Sequence, residues 1–145
     1  MPREPDARTT ALADRLHSLA IHLLRTVRAS DEESGLSAPR LSALSVIVFR
    51  EPITLGDLAA AEGVTAPTMT RLVQGLEADQ LLGRHAHPTD ARAVLLRPTE
   101  RGRRLLAAAR QRRVKTLASA LAHLETKDRN VVALAVSTLE ALIRR

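Results

Sequence analysis

Apolar positions at the start of the chain follow the spacing of one amphipathic helix. Between Thr9 and Ala29 they recur every three or four residues, which places them on one helical face. The polar run 31–35, Asp-Glu-Glu-Ser-Gly, ends this pattern. A second helix is predicted from Ser37, a candidate N-cap, to Pro52, because a proline disfavours helical backbone at the residue before it. The repeating positions of the first helix are Leu12, Leu16, Leu19, Leu23 and Val27.

Two shorter helical patterns joined by a tight turn come next. Thr54 and Asp57 resemble a capping box, and Gly63 supplies the positive φ that the end of a helix favours. Thr65 is the predicted cap of the following helix, and Pro67 lies in its first turn, where a missing N–H costs nothing. This spacing predicts a helix-turn-helix. The apolar residues of its second helix share one face and are Met69, Leu72, Val73 and Leu76.

A hairpin and two further helices complete the pattern. Residues Leu81–His87 and Val94–Arg97 predict two strands around Pro88-Thr89-Asp90-Ala91, since proline and aspartate suit a turn longer than two residues. Thr99 is the predicted cap of a long helix that reaches about Leu124. The stripe of the last helix consists of Val132, Ala135, Leu139 and Leu142.

This order of elements predicts a mainly α-helical fold with a small β-ribbon, in a single domain of 145 residues. Residues 37–103 form a winged helix-turn-helix module, and the segments 9–36 and 104–145 supply dimerisation helices. A helix of roughly 25 residues is about 37 Å long, too long to be covered by so small a module. We therefore expect the terminal helices to pair in a homodimer; the alternative is an intramolecular three-helix packing.

Composition narrows the class of protein. Phe49 is the one aromatic residue, so the core must be aliphatic. Cysteine is absent, which excludes disulfides and thiol redox switches. The chain shows no apolar leader and no apolar run of membrane-spanning length, so we expect a cytoplasmic protein that does not bind membranes.

Charge is unevenly distributed. The net charge is +6, and segment 84–115 holds ten basic residues against two acidic ones. Segment 31–79 holds eight acids and three basic residues, so the helix-turn-helix itself is acidic. Attraction to phosphate must therefore come from the hairpin, the start of the next helix and helix N-termini. The arginines beyond Arg104 can equally be the solvated face of a helix.

No motif predicts catalysis. The chain lacks a Gly-rich phosphate loop, a Gly-x-Ser-x-Gly elbow and a His-Glu-x-x-His helix. His85 and His87 could share one face of a strand, but two imidazoles without a Cys or acid cluster are weak support for a metal site. The two histidines are better explained as polar hairpin residues that face solvent or phosphate than as metal ligands. We predict no enzyme activity, no metal and no cofactor.

The exposed side of the second helix-turn-helix helix is the candidate DNA-contacting surface. Its short polar groups and one guanidinium can contact base edges or phosphates, and its N-terminal N–H groups can bind a phosphate. Thr65 is needed as a cap with or without DNA, and Arg71 can be a surface arginine. Effector-binding residues remain unassigned. The candidate DNA-binding residues are Thr65, Ala66, Pro67, Thr68, Thr70, Arg71, Gln74, Arg84, Asp90 and Arg92.

Three ordered motifs carry a family resemblance. The runs 65–73 (TAPTMTRLV), 90–97 (DARAVLLR) and 99–102 (TERG) resemble the multiple-antibiotic-resistance regulator (MarR) family. The resemblance implies a homodimeric winged-helix transcription factor, usually a repressor, whose first and last helices form the dimer interface. It also implies that Arg92 reaches DNA from the hairpin tip while Asp90 orients it. Pro98 departs from the family pattern, which commonly has leucine there.

The predicted function is sequence-specific binding of double-stranded DNA at inverted-repeat operators, by a homodimeric repressor that a small-molecule effector releases. The scarcity of aromatic residues argues against an aromatic-acid effector. The alternative is a winged-helix adaptor that binds an acidic protein partner. The Asp-x-Arg tip and the threonine-rich exposed helix favour DNA over that partner.

Overall fold

The structure describes residues 4–29, 31–90 and 93–144. Within these ranges the chain forms six α-helices and a three-stranded antiparallel sheet. The structure is a computed structural model. A single 3₁₀ turn, Glu32–Ser34, follows the first helix. The elements in chain order are α1 (Ala7–Ala29), α2 (Ala38–Phe49), β1 (Ile53–Thr54), α3 (Leu55–Glu62), α4 (Ala66–Ala78), β2 (Leu82–Ala86), β3 (Val94–Pro98), α5 (Glu100–Ala122) and α6 (Thr126–Ile143).

Local capping explains where several helices begin and end. Asp6 Oδ1 accepts the N–H of Thr9 at 2.7 Å, so α1 starts two residues before the predicted Thr9. This hydrogen bond to the charged form lowers the pKa of Asp6. The Thr54 hydroxyl accepts the Asp57 N–H at 3.1 Å, as the capping box predicted. Gly63 adopts φ 64°, which confirms the left-handed end of α3.

Two predicted side-chain caps were wrong. Ser37 and Thr65 hold the N-cap positions of α2 and α4, but within the described contacts neither side chain accepts a backbone N–H of its helix. Proline stands second in both helices and removes the N–H of that position, but the N–H of the third residue, which Thr54 binds in α3, is present in both. The Thr65 hydroxyl instead lies 3.0 Å from the hydroxyl of Thr68.

The core lies inside the winged module, between the helices and one face of the sheet. Strand order is β1-β3-β2, with Leu82 opposite Pro98 and Ala86 opposite Val94. The sequence pattern missed β1, whose two residues become a strand by pairing with β3 and burying Ile53. The largest fully buried side chains are Leu41, Leu44, Ile47, Leu58, Met69, Val73, Leu76, Leu81 and Leu96.

The start of α5 is locked onto the loop between α4 and β2. The Thr99 hydroxyl accepts the Gly102 N–H at 3.1 Å, which confirms the predicted cap, and donates to the Gln80 carbonyl at 2.8 Å. The Thr99 N–H donates to the Leu81 carbonyl at 3.0 Å. A Cβ atom on Gly102 would overlap that same carbonyl oxygen. Glycine is therefore required here by close backbone approach, not by its φ angle.

The terminal helices leave large apolar side chains in solvent. Among the described residues of α1 and α6, none is buried. Leu134 and Ile143 are 70% and 82% exposed, whereas Val132 and Leu139 of the predicted stripe are half-buried. The apolar surface of α6 is thus wider than one stripe. Within the described ranges, no helix has the length and apolar character needed to cross a membrane.

Replacing Gly102 by alanine should lower the free energy of unfolding by about 1–3 kcal/mol, because the new methyl group must displace backbone rather than a flexible side chain. Gly56→Ala on α3 is the matched control. A Cβ there meets only the Thr54 hydroxyl, at 3.9 Å, so the change should be neutral or stabilise by up to about 1 kcal/mol. Urea unfolding measures both; equal effects would contradict the close approach.

Candidate nucleic-acid interface

Helix α4 presents a polar face on the outside of the module. It buries Met69, Val73 and Leu76 against the core, which leaves Thr68, Arg71 and Gln74 exposed at three-residue spacing. Since residues three apart are neighbours on a helix, these side chains form one continuous row. The structure therefore brings together three of the candidates on α4.

The N-terminal end of α4 is open to solvent. Thr65, Ala66 and Pro67 are all exposed, and the Thr65 and Thr68 hydroxyls are in contact there. A helix N-terminus carries partial positive charge, so this end can accept a phosphate. Thr70 is less available, because it is half-buried and its hydroxyl donates to the Ala66 carbonyl at 2.8 Å. Its oxygen can still accept a hydrogen bond.

The hairpin of β2 and β3 with its turn 87–93, here called the wing, is joined to α4 by an ion pair. Arg84 Nε lies 3.0 Å from both carboxylate oxygens of Glu77. Arg84 is thus held beside α4 rather than extended into solvent, with about a third of each side chain exposed. Sequence reasoning missed Glu77, because its seven-residue separation from Arg84 spans a helix end and a turn.

The described part of the wing turn is organised by His87. Its Nδ1 accepts the Asp90 N–H at 3.1 Å and the Thr89 N–H at 3.3 Å, and the Asp90 carbonyl accepts the Ala93 N–H at 3.1 Å. Since β2 ends at Ala86, His87 and His85 do not share a strand face, and that premise of the two-imidazole metal site was wrong. The candidate Arg92 lies outside the described residues.

Comparison with known proteins decides the family. Residues 36–94 match the MarR family model. Over 140 residues the chain is 35% identical to an HTH-type transcriptional regulator of Mycobacterium bovis, covering 97% of this chain and 96% of the relative. The chain belongs to the MarR family. MarR proteins are DNA-binding transcriptional regulators and not enzymes, which confirms the class predicted from the three sequence motifs.

Solved MarR-type structures confirm the winged-helix fold. A transcriptional regulator from Thermotoga maritima superposes with a TM-score of 0.83 at 24% identity, covering 94% of this chain and 96% of that one. A point mutant of MepR from S. aureus, bound to an oligodeoxyribonucleotide, gives a TM-score of 0.69 at 16% identity, covering 91% and 97%. The mainly helical fold with a small ribbon was therefore correctly predicted.

Several acidic residues of segment 31–79 in this MarR protein form ion pairs. Glu51 binds Arg103 of α5 at 2.5 Å, and Asp79 binds Arg40 of α2 at 3.3 Å. With Glu77, three of the acids that made this segment net negative are thus matched by arginines. The acidity seen in the sequence therefore opposes phosphate binding less than a simple count suggests, because paired charges cancel at a distance.

The Arg103 guanidinium lowers the pKa of Glu51 below its ordinary 4.5, first through the hydrogen bond and then through its charge. The pair therefore stabilises the fold above that pH, and the contribution is lost as the pH falls through the lowered pKa. Glu51→Gln should therefore make the free energy of unfolding fall less steeply as the pH is lowered. Urea unfolding midpoints between about pH 6 and about pH 3 measure this pH dependence. Glu4→Gln, at an exposed position, should leave the pH dependence as steep as in the parent.

Proposed function

We propose that this MarR protein is a homodimeric repressor that binds inverted-repeat operators in double-stranded DNA and is released by a small-molecule effector. The observation that carries the proposal is the single exposed surface formed by the polar row of α4, the open N-terminus of that helix and the wing joined to it through Glu77–Arg84. The oligonucleotide in the MepR complex supports DNA as the ligand of such a surface.

Each part of this surface has a proposed role. Thr68, Arg71 and Gln74 contact base edges in the major groove, since a guanidinium and an amide can each make two hydrogen bonds to one purine. The α4 N-terminus, residues 65–67, binds a phosphate, and Thr70 serves only as an acceptor. Arg84 and the tip residues Asp90 and Arg92 belong to the wing, where Asp90 orients Arg92 toward DNA.

Homodimerisation is supported by the exposed apolar surface of the terminal helices. The intramolecular alternative requires α1, the distal part of α5 and α6 to cover one another, yet none of the described residues of α1 and α6 is buried. Apolar patches of this kind mark interaction surfaces. We therefore keep 9–36 and 104–145 as the dimerisation segments and 37–103 as the DNA-binding module. A two-fold dimer presents two α4 helices to two half-sites about 10 base pairs apart. With chromosomal DNA as the target, the proposed site of action is the cytoplasm.

A cleft where the DNA-binding module meets the dimerisation segments is the proposed effector site. It has a volume of about 490 Å³ and lies between the 3₁₀ turn and the first half of α5. This volume is in the range of known ligand sites. Its polar lining includes Arg101, Arg104 and Arg112, of which Arg112 lies 3.7 Å from Glu33. Three guanidinium groups favour an anionic effector.

Arg71→Ala and Gln74→Ala should each weaken binding to a duplex selected from a random pool by about 1–3 kcal/mol and relax the consensus at one position per half-site. Binding to unrelated duplexes should change less. Arg129→Ala, which removes a charge from exposed α6, is the matched control and should keep the consensus. Failure to select any duplex would favour the protein-binding adaptor instead.

The full chain should have roughly twice its 15.8 kDa mass in solution by light scattering. Leu134→Glu should dissociate or unfold it, because a carboxylate would then be buried in the interface. Phe49→Glu is the control, since Phe49 is 75% exposed on α2, outside the dimerisation segments, and that variant should remain dimeric. A folded monomer of the unmodified chain would contradict the homodimer.

A further inference from the structure

In the described part of the wing turn, one ring nitrogen accepts two backbone N–H groups. His87 Nδ1 accepts the N–H groups of two successive residues, Asp90 at 3.1 Å and Thr89 at 3.3 Å, and lies 3.4 Å from the Thr89 hydroxyl. The ring is half-buried and follows directly on the last residue of β2, Ala86. The side chain therefore takes the part that an Asn or Asp oxygen plays in an Asx turn.

This arrangement is possible with only one charge state of the ring. An imidazole nitrogen accepts a hydrogen bond when it carries no proton, so Nδ1 must be bare and the ring proton must lie on Nε2. In the imidazolium both nitrogens are donors. A proton on Nδ1 would then face two backbone donors that cannot change roles. Protonation would thus remove both hydrogen bonds at once and repel the Thr89 and Asp90 N–H groups.

In the described part of the hairpin, the titratable and charged side chains besides His87 are Arg84 and His85 of β2, Arg97 of β3 and Asp90 of the turn. Arg97 lies opposite Gly83, four residues before His87. From the helices packed on the hairpin, Glu77 of α4 is held by Arg84, and Asp57 of α3 accepts the Thr54 hydroxyl. Asp90 would attract an imidazolium, whereas the charge of Arg84 is offset by Glu77 and Arg97 is at the far end of the hairpin. In this exposed setting such attraction is screened by salt, and the two hydrogen bonds are the more local effect.

We propose that His87 is a positioning residue for the wing: its neutral ring holds the Thr89–Asp90 backbone in the shape that binds DNA, and protonation loosens that shape. This inference rests on the proposed DNA binding. Histidine is the side chain that ordinarily changes charge between pH 5 and 8. DNA affinity should therefore fall as the solution is acidified.

The sign of this effect distinguishes it from simple electrostatics. Adding a positive charge to a DNA-binding surface ordinarily strengthens binding to phosphate. If His87 acted only as a surface cation, acidification would raise the affinity. Loss of the turn geometry acts in the opposite direction, so the direction of the pH dependence separates the two roles.

The experiment measures the dissociation constant of a duplex selected from a random pool at about pH 8, then at about pH 5.5 and the same salt concentration. His87→Asn keeps a neutral acceptor that does not titrate, and His87→Ala removes the acceptor. His85→Asn is the matched control, because it removes the neighbouring imidazole on β2. In parallel, NMR follows the His87 ring nitrogens and the Thr89 and Asp90 amides of the DNA-free protein over the same range.

The parent and His85→Asn should both lose about tenfold in affinity on acidification, the size expected when one neutral acceptor shared by two N–H groups is lost. His87→Ala should bind about tenfold more weakly at the higher pH, and neither His87 variant should show the acid-dependent loss. The NMR spectra should show a bare Nδ1 near pH 8 and amides that titrate with the ring.

A parent whose affinity is constant or rises on acidification, or a His87→Asn variant that keeps the full acid loss, would overturn the inference. If no duplex is selected at the higher pH, the proposed function has failed. The NMR titration would then still decide whether His87 holds the turn. The two failures are therefore distinguishable.

Discussion

The first turn of α5 lies against the carbonyl of Leu81 so closely that no side chain fits between them, and Gly102 stands at that point. Thr99 completes the junction by binding the Gln80 and Leu81 carbonyls at 2.8 and 3.0 Å. Because α5 leaves the wing in the direction set here, this junction also sets where the apolar helices lie relative to α4. The proposed DNA-binding surface and the proposed dimerisation helices are thus connected through this backbone contact.

At the other end of the module, an ion pair joins the segment between α1 and α2 to α5. Asp31, in the linker between α1 and α2, receives a two-pronged hydrogen bond from Arg113 of α5, with N–O distances of 2.6 and 2.7 Å. The Asp31 side chain is only 8% exposed, unlike the other ion-paired acids. Exposed pairs contribute at most about 1 kcal/mol, and a buried carboxylate that loses its partner costs more; in this pair the carboxylate is buried and the Arg113 side chain is 37% exposed. This pair therefore restrains the angle between α1 and α5 more firmly than the surface pairs do.

The wing and α4 behave as one surface because acidic residues of the module hold basic ones. Glu77 fixes Arg84 beside α4, and Glu51 fixes Arg103 at the start of α5. The net negative charge of the helix-turn-helix segment therefore has a structural use. It orients arginines that the sequence alone would assign to solvent or to phosphate, and it leaves Arg71 as the exposed guanidinium of the α4 row.

Short-range features were readable from the chain alone. The apolar spacing of α4, the Thr54–Asp57 capping box and the left-handed Gly63 depend on neighbours within four residues, so sequence determined them. Strand β1 and the Glu77–Arg84 pair depend on partners brought close by folding, and only the tertiary structure decided them. The turn held by His87 is local, since its acceptor and donors are two and three residues apart, but the sequence pattern did not indicate it. Ser37 and Thr65 hold the N-cap positions that the sequence predicted, but neither side chain makes the cap hydrogen bond, and the Thr65 hydroxyl contacts the Thr68 hydroxyl instead. Periodicity records which face of a helix is apolar, but which side chain meets which is set by packing across the chain.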